Sequence, residues 1–483
     1  MAGPDFIALL PLLVTAVSSL IVLLIAAFHR GHGVVVTVTS LGLTGAFLML
    51  PVAAGVAPRP VTALLVVDTY ALFYAGLILA ASLAVTLLSY GYLMRQKGQR
   101  EEFYALLLFA TLGAITMAAA THFASFFLGL ELLSLSLYVL IAYRRTDPRP
   151  LEAGIKYLIL SGTSSAFLLF GMAVIYFQSG TMKFVHTAAR LTGANDLSST
   201  YLAGLMLILT GVGFKLAVVP FHMWAPDIYQ GAPAPVSAFV ATVSKGAMVA
   251  LLLRYFVEIE AFRSDILWWV LAGIAALSMF AGNLLALLQN NVKRLLAYSS
   301  IAHLGYLLVA LLAGGPLAIE AVTFYLIAYF ITTLGAFGVV SVLSEPGAEA
   351  EAMEDYRGLF WNRPWIAMVF TVMLLSLAGI PLTAGFIGKF YVIAAGVNSA
   401  LWLLILLLVV NSVIGLFYYL RIIVAMTAVE RRGLDDTESA QALRTSYADG
   451  LVLAMLSGLL FWLGLYPAPL IQLVRAMERS FTG

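Results

Sequence analysis

Residues 211–236, GVGFKLAVVPFHMWAPDIYQGAPAPV, and residues 375–390, LSLAGIPLTAGFIGKF, decide how this chain folds. Both are apolar enough to lie in a membrane, and both are interrupted by a proline within a few turns of a lysine. Pro220 has no N–H to donate and crowds the carbonyl of Leu216, next door to Lys215. Pro381 stands among Gly379, Gly385 and Gly388, with Lys389 just beyond. Open backbone at membrane depth is tolerated only where protein or water satisfies it. One such break reads as an ordinary proline kink. A matched pair, each with its lysine, points to discontinuous helices in two inverted repeats around an ion site.

The rest of the chain fits that setting. Of its 483 residues 62% are hydrophobic and 10% charged, with mean hydropathy +1.00. A soluble protein carries about 25% charged residues, so the composition is that of a polytopic membrane protein. The net charge of +2 comes with no basic cluster, so nucleic acid is not an expected partner; the lipid bilayer is. The absence of cysteine removes disulfides, thiolate metal sites and iron–sulfur ligation by the usual residue.

A span takes about 20 mainly apolar residues. The pattern predicts an all-α fold of about fourteen segments, near 5–28, 34–56, 64–93, 103–120, 122–143, 152–179, 201–231, 233–256, 266–289, 294–313, 317–343, 364–397, 400–427 and 448–474. The run from Phe6 to Phe28 lacks a basic leader and reads as the first helix. The division at 120–122 is the tightest. The expected organisation is a three-helix segment (1–100), a first five-helix repeat (101–260), a second (261–430) and a last helix (431–483). Loops after odd-numbered segments carry twice as many Lys and Arg as the opposite side, among them Arg95, Lys97, Arg100, Arg144, Arg145, Arg149, Arg431, Arg432 and Arg444. The positive-inside rule then makes those loops cytoplasmic and puts both termini outside. The acidic stretch Glu345 to Asp355 reads as a solvated loop.

Charge inside such segments needs a reason, because an ionisable side chain at bilayer depth costs roughly 2.5–3.5 kcal/mol on the lenient insertion scale. Glu131 lies in ASFFLGLELLSLSLYVL (124–140), with Ser134 and Tyr138 on its helix face. Its expected partner is Lys215, and separating the two would release a proton from the lysine. The competing reading is a static ion pair pinning two helices. Lys245, in ATVSKGAMVALLL (241–253), lies near mid-span between Ser244 and Gly246, which makes it a proton-exchanging lysine more than a snorkelling one. The same argument covers Lys389. His303 shares a polar stripe with Ser299, Ser300 and Tyr306 and is suited to passing protons, although a hydrogen-bonded structural histidine is a real competitor. His222, just past Pro220, is weighed the same way. Lys156 lies about a turn from a helix end, where snorkelling and relay are equally open. His29, His32 and His186 read as solvated loop residues. No phosphate-binding loop is present, so ATP does not drive this protein, and no dinucleotide fingerprint, metal-ligand spacing or nucleophile elbow is visible.

KLAVVPFHMWAPDIYQGAPAPVSAF (215–239), LLAYSSIAHLGYLL (295–308) and YRGLFWNRPWIAMVFTVMLLSLAGIPLTAGFIGKF (356–390) closely resemble the antiporter-like membrane subunits of respiratory complex I, the NADH–quinone oxidoreductase of bacteria. The wording PFHMWAPDIYQGAP, with lysine at 389, is that of the subunit N branch; subunits M and L tend to show H-T-W-L-P-D. The resemblance covers essentially the whole chain. It implies a discontinuous-helix, inverted-repeat subunit of the bacterial inner membrane, coupling quinone reduction elsewhere to proton translocation. It would make Glu131 and Lys215 the coupling pair, Lys245 the central lysine and Lys389 the exit-side lysine, with His222 and His303 as connecting residues. NADH, FMN, iron–sulfur clusters and quinone would belong to other subunits, and subunits M and K would be neighbours. An independent or Mrp-type cation/proton antiporter would use the same charged axis. A passive spacer in the membrane arm would not need it.

Overall fold

The computed structural model describes residues 3–96, 98–145, 147–185, 199–259, 265–345, 347–428 and 446–482. Lys97, His186, Arg431, Arg432 and Arg444, read above from the sequence, lie outside them. Apart from a two-residue ribbon pairing Arg59–Pro60 with Val66–Val67, the ordered elements are helical. Those of eight residues or more are α1 (Leu10–Phe28), α2 (His32–Leu48), α3 (Thr69–Arg95), α4 (Glu102–Ala118), α5 (Phe123–Ile141), α6 (Pro148–Ser179), α7 (Ser199–Leu216), α8 (Trp224–Gly231), α9 (Ala234–Glu258), α10 (Asp265–Leu287), α11 (Val292–Ala313), α12 (Gly315–Leu343), α13 (Pro364–Ala378), α14 (Ala384–Asn398), α15 (Trp402–Thr427), α16 (Tyr447–Leu465) and α17 (Ala468–Thr482). Among the described residues twelve helices are long and apolar enough to cross a membrane, α2 counting as one with its continuation to Ala54, and α4, α13 and α14 are shorter apolar helices.

Local chemistry sets the helix ends. Asp68 caps α3 by accepting from the Ala71 N–H, His122 Nδ1 caps α5, Asp147 caps α6 and Asn291 caps α11. The turn at 120–122 separates α4 from α5, as the sequence reading has it. The last segment does not run on to 474. It stops at Leu465, and the chain resumes in α17 after Pro467, because neither Pro467 nor Pro469 can donate a backbone N–H to a continuing helix. Glycines let neighbouring helices touch backbone to backbone. A methyl at Gly113 of α4 would lie 2.6 Å from the Gly129 carbonyl of α5, and one at Gly282 of α10 would lie 2.6 Å from the Ala302 nitrogen of α11.

Both proline-broken segments are indeed discontinuous. Between α7 and α8 the chain turns at Ala217, which has φ +57°, and the exposed backbone is satisfied locally. Trp224 Nε1 donates to the Phe214 carbonyl (2.9 Å), and the Val219 N–H donates to Ser278 Oγ of α10 (2.9 Å). Between α13 and α14 the turn uses Gly379 at φ +85° and Leu382 at φ +73°. Here the Gly385 N–H donates to Ser376 Oγ (3.1 Å), and the freed Ala378 carbonyl accepts from Lys389 itself (2.8 Å).

The acidic stretch is not a solvated loop. Glu349 is half-buried, accepting from Lys293 Nζ at 3.0 Å and from the Tyr92 hydroxyl, with Arg144 at 3.6 Å. Glu351 accepts from Arg149 at 2.7 Å. Lys293 is fully buried at the start of α11, so its ammonium needs a counter-charge, and the loop supplies one. Glu345 and Glu354 alone fit the solvated description among its glutamates.

Candidate functional site: a buried chain of lysines and hydroxyls

The central lysine and its polar neighbours fall on the deepest helices. In α9 and α11 the most apolar stretch is wholly buried inside the chain, and in α12 nearly so. These three carry Lys245, then Ser300 and His303, then Tyr325 and Tyr329. Apolar helices wrapped on all sides have no packing reason to carry polar side chains.

Lys215 closes α7, immediately before the break, and is 3% exposed. Its ammonium donates to Ser134 Oγ of α5 and Ser161 Oγ of α6, both at 2.7 Å, and to the Tyr157 hydroxyl at 3.4 Å. The expected direct pair with Glu131 is not formed. Glu131 Oε1 instead accepts from Ser165 Oγ of α6 at 2.5 Å. Ser161 and Ser165 are four residues apart on α6, a rise of about 6 Å. One face of α6 therefore stands between the two charges and offers each a hydroxyl. Tyr138 joins the set by donating to Ser161 at 2.9 Å.

Lys245 is 0% exposed and follows the π-turn Val240–Ser244 in α9. Such a turn widens a helix locally and is frequent at functional sites. Lys245 Nζ donates to Ser300 Oγ at 2.6 Å and lies 5.6 Å from the centre of the Tyr229 ring. Ser300 Oγ is 2.6 Å from the Tyr329 hydroxyl. One turn along α11, His303 Nδ1 meets the Tyr325 hydroxyl at 2.6 Å and Nε2 meets that of Tyr419 at 3.2 Å. The Tyr306 ring then lies 5.5 Å from the His303 ring and 5.3 Å from Lys389 Nζ. Lys389, 7% exposed, donates to Ser412 Oγ of α15 at 2.7 Å as well as to Ala378 O. Lys245, Ser300, Tyr329, His303, Tyr306 and Lys389 thus form one continuous set of contacts, the Tyr329 and His303 rings lying 5.6 Å apart. On its other side Lys215 Nζ lies 5.2 Å from the centre of the Tyr157 ring, which packs 5.1 Å from the Trp224 ring.

Other candidates lie elsewhere. His222 is buried, but no contact joins it to the lysines. Lys156 is a surface ion-pair residue, bound to Glu152 (2.7 Å) and Asp227 (3.3 Å), which makes relay unnecessary to explain it. His29 is exposed, whereas His32 is not solvated: its Nε2 meets the Tyr104 hydroxyl at 2.9 Å and its ring packs against Tyr90. Sequence reasoning missed Ser161, Ser165, Tyr325, Tyr329 and Ser412. It also missed Arg254, 2% exposed, which grips Asp68 with two hydrogen bonds of 2.8 Å. Two features carried a signal: the hydroxyl-rich run SGTSS (161–165) in an apolar segment and the four-residue spacing of Tyr325 and Tyr329.

The family described as NADH:quinone oxidoreductase/Mrp antiporter, transmembrane, matches residues 120–415, a window that contains every lysine of the chain of contacts. NADH-quinone oxidoreductase subunit N of Ectopseudomonas mendocina (strain ymp) is 51% identical over 475 residues, covering 97% of this chain and 95% of that protein. A chain of respiratory complex I from Thermus thermophilus, solved with bound aureothin, is similar at TM-score 0.80 and 34% identity, covering 96% of this chain and 98% of that one. A chain of the Mrp complex from Dietzia sp. DQ12-45-1b shares the fold, with TM-score 0.85 at 21% identity over 100% of this chain and 98% of that one. With half its residues shared along nearly the full length, the chain belongs to the NADH:quinone oxidoreductase/Mrp antiporter membrane family, in the subunit N branch of NADH-quinone oxidoreductase.

Proposed function

We propose that this proton-translocating membrane subunit of NADH–quinone oxidoreductase moves protons along the line Lys215, Lys245, His303, Lys389, with Glu131 modulating the first lysine through the α6 hydroxyls. One observation carries the reading. Among the described residues, Lys215, Lys245 and Lys389 are each buried and held by neutral hydroxyls or a carbonyl, without an ion pair. A buried lysine paired with a carboxylate gives up its proton only when that carboxylate is itself protonated, whereas one held by neutral oxygens changes protonation readily. Lys215 would be the coupling lysine, Lys245 the central carrier and Lys389 the exit-side carrier, with His303 and its tyrosines between the last two. His222 would contribute only after a rearrangement of the α7–α8 turn.

Two five-helix repeats, 101–260 and 261–430, with 1–100 and 431–483 flanking them, account for the arrangement. Each would contain a glycine-mediated helix pair, α4–α5 and α10–α11, followed by a broken helix. Met223 at the first break and Leu382 at the second are 67% and 63% exposed apolar residues. They support a reading in which neighbouring subunits, M and K, cover the flanks. The chain would sit in the bacterial inner membrane with both termini periplasmic, and NADH, FMN, the iron–sulfur clusters and quinone would be held by other subunits. A stand-alone or Mrp-type antiporter has in its favour the fold shared with the Dietzia Mrp chain, but the identity to subunit N weighs against it.

Lys245→Ala in membrane vesicles, assayed together for NADH:quinone electron transfer and for the proton gradient after checking assembly, tests the reading. Loss of the gradient with slowed electron transfer is the expected outcome. Wild-type values of both in the assembled complex would leave a passive spacer as the better account.

A further inference from the structure

We propose that Glu349 and Lys293 form the uptake site through which Lys245 is charged from the basic face of the protein. The proposal rests on the reading of Lys245 as the central carrier. Lys293 sits at the mouth of α11, the helix that also carries Ser300 and His303, yet it has no exposed surface. Its ammonium has two partners. Outward is the Glu349 carboxylate at 3.0 Å; inward is the Ala232 carbonyl at 2.6 Å, in the turn joining α8 to α9. Ser237 Oγ of α9 comes within 3.5 Å of the same carbonyl and donates to the Tyr229 carbonyl at 2.8 Å. Tyr229 is the residue whose ring lies under Lys245. Along α11, Lys293 and Ser300 are seven residues apart, nearly two turns and about 10 Å, so they share a face. Contacts therefore run from a carboxylate whose side chain is 12% exposed, by way of the Ala232 and Tyr229 carbonyls, to the ring beneath the central lysine.

The loop is fastened so that this carboxylate stays in place. The Val292 N–H donates to Glu351 O at 2.6 Å, and the Met353 N–H donates to Asn290 O at 3.0 Å. The charged and titratable groups facing Glu349 are Tyr92 of α3, Arg144 after α5, Lys293 of α11 and Tyr356 beyond the loop. Beside it stand the pairs Arg149–Glu351, Arg294–Asp227 and Arg95–Asp449. Arginine dominates this rim and cannot give up its proton. Lys293 and Glu349 are the members able to exchange.

The step balances. A proton from water adds to the Glu349 carboxylate, which cancels its hold on Lys293. The Lys293 ammonium passes one proton inward, through water in the Tyr229–Ser300 region, to Lys245 in its neutral amine form, so that Lys245 becomes an ammonium and Lys293 an amine. Glu349 then returns its proton to that amine, and both groups end as they began with one proton moved inward.

The decisive variants are Lys293→Arg and Glu349→Gln, compared with Glu349→Asp and Lys245→Ala in vesicles of the whole complex, with this face toward the medium. Lys293→Arg keeps the charge and the ion pair but cannot release a proton. It is expected to lower coupled proton translocation by about a hundredfold, the lower end of what a positioned acid–base group contributes. A pair that only straps the loop down would tolerate it. Glu349→Gln still accepts from Lys293 and Tyr92 but cannot take up a proton, so its pumping is expected to fall, while Glu349→Asp, which keeps the carboxylate, pumps. Should Glu349→Gln fail to assemble, Lys293→Arg decides. Normal pumping by Lys293→Arg or Glu349→Gln, with Lys245→Ala inactive, would overturn the uptake site and leave the axis standing. Normal pumping by Lys245→Ala would overturn both.

Discussion

Removing the hydroxyls that hold Lys215 tests the coupling site without touching a charged residue. Ser134 Oγ and Ser161 Oγ each accept from Lys215 Nζ at 2.7 Å, and α7 offers the ammonium nothing comparable. A hydrogen bond to a charged group is worth about 1.5–3 kcal/mol, and the buried partner left behind bears the desolvation cost. Every 1.4 kcal/mol is tenfold. Ser134→Ala or Ser161→Ala should therefore lower the occupancy of charged Lys215 by about ten- to a hundredfold, and coupled turnover with it, if that form carries the proton. Ser161→Ala should be the more severe, because Ser161 also accepts from Tyr138. Ser161→Thr keeps the hydroxyl and should stay within about threefold, a loss below the worth of one such bond. The assay is NADH:quinone turnover measured with proton-gradient formation in vesicles whose complex content has been matched. The double alanine variant should approach Lys215→Ala, since contacts to one group are not additive. If both single variants turn over within twofold of wild type, Lys215 does not depend on these hydroxyls and the coupling argument fails at its first step.

Two further outcomes follow from other contacts. Arg254→Met leaves Asp68 buried opposite no cation, so it should destabilise the outer end of α9 by about 3–5 kcal/mol, and adding Asp68→Leu should recover much of that; thermal unfolding of the solubilised complex reads both. Gly385→Ala places a methyl 1.9 Å from the Ser376 carbonyl, where α14 starts against the end of α13. Overpacking of this kind costs about 1–3 kcal/mol and should displace Lys389, so lower melting temperature and slower pumping are expected together, and a variant that melts and pumps normally would contradict the geometry.

The lysines and the two breaks were legible because their signals are local: a charge in an apolar run and a proline in a span. Ser134 and Tyr138 were legible for the same reason, lying three and seven residues from Glu131 on one helix. Ser161, Ser165, Tyr325, Tyr329 and Ser412 were not, because each reaches its partner from another helix. α12 shows why. It is apolar all round, so periodicity gives no rotation, and nothing short of packing aims Tyr325 at His303. Charge complementarity alone proposes a direct Glu131–Lys215 pair; it has no way to weigh the hydroxyl-bearing face of α6 that separates them. The acidic loop misled for a related reason. Composition marks it as solvated, and only the burial of Lys293, some fifty residues earlier in sequence, calls Glu349 inward.

The buried cations divide by chemistry. Arg254 is tied to Asp68, Arg95 lies 3.8 Å from Asp449, and the half-exposed Arg475 is tied to Glu320. Each joins separate helices, α9 to the cap of α3, α3 to α16, and α17 to α12. A guanidinium keeps its proton under all ordinary conditions, and its planar fork suits a permanent carboxylate clamp. The cations of the interior line are lysines, and their partners are hydroxyls or a carbonyl. An arginine there would be a charge that never leaves; a lysine on a carboxylate there would be one that leaves reluctantly. Lys293 stands between the two classes, a lysine on a carboxylate, at the boundary where protons must be both captured and released. That placement is what a gate requires and a clamp does not: a clamp would work as well with arginine. Replacing Lys293 by arginine therefore asks whether this pair belongs with the clamps or with the line.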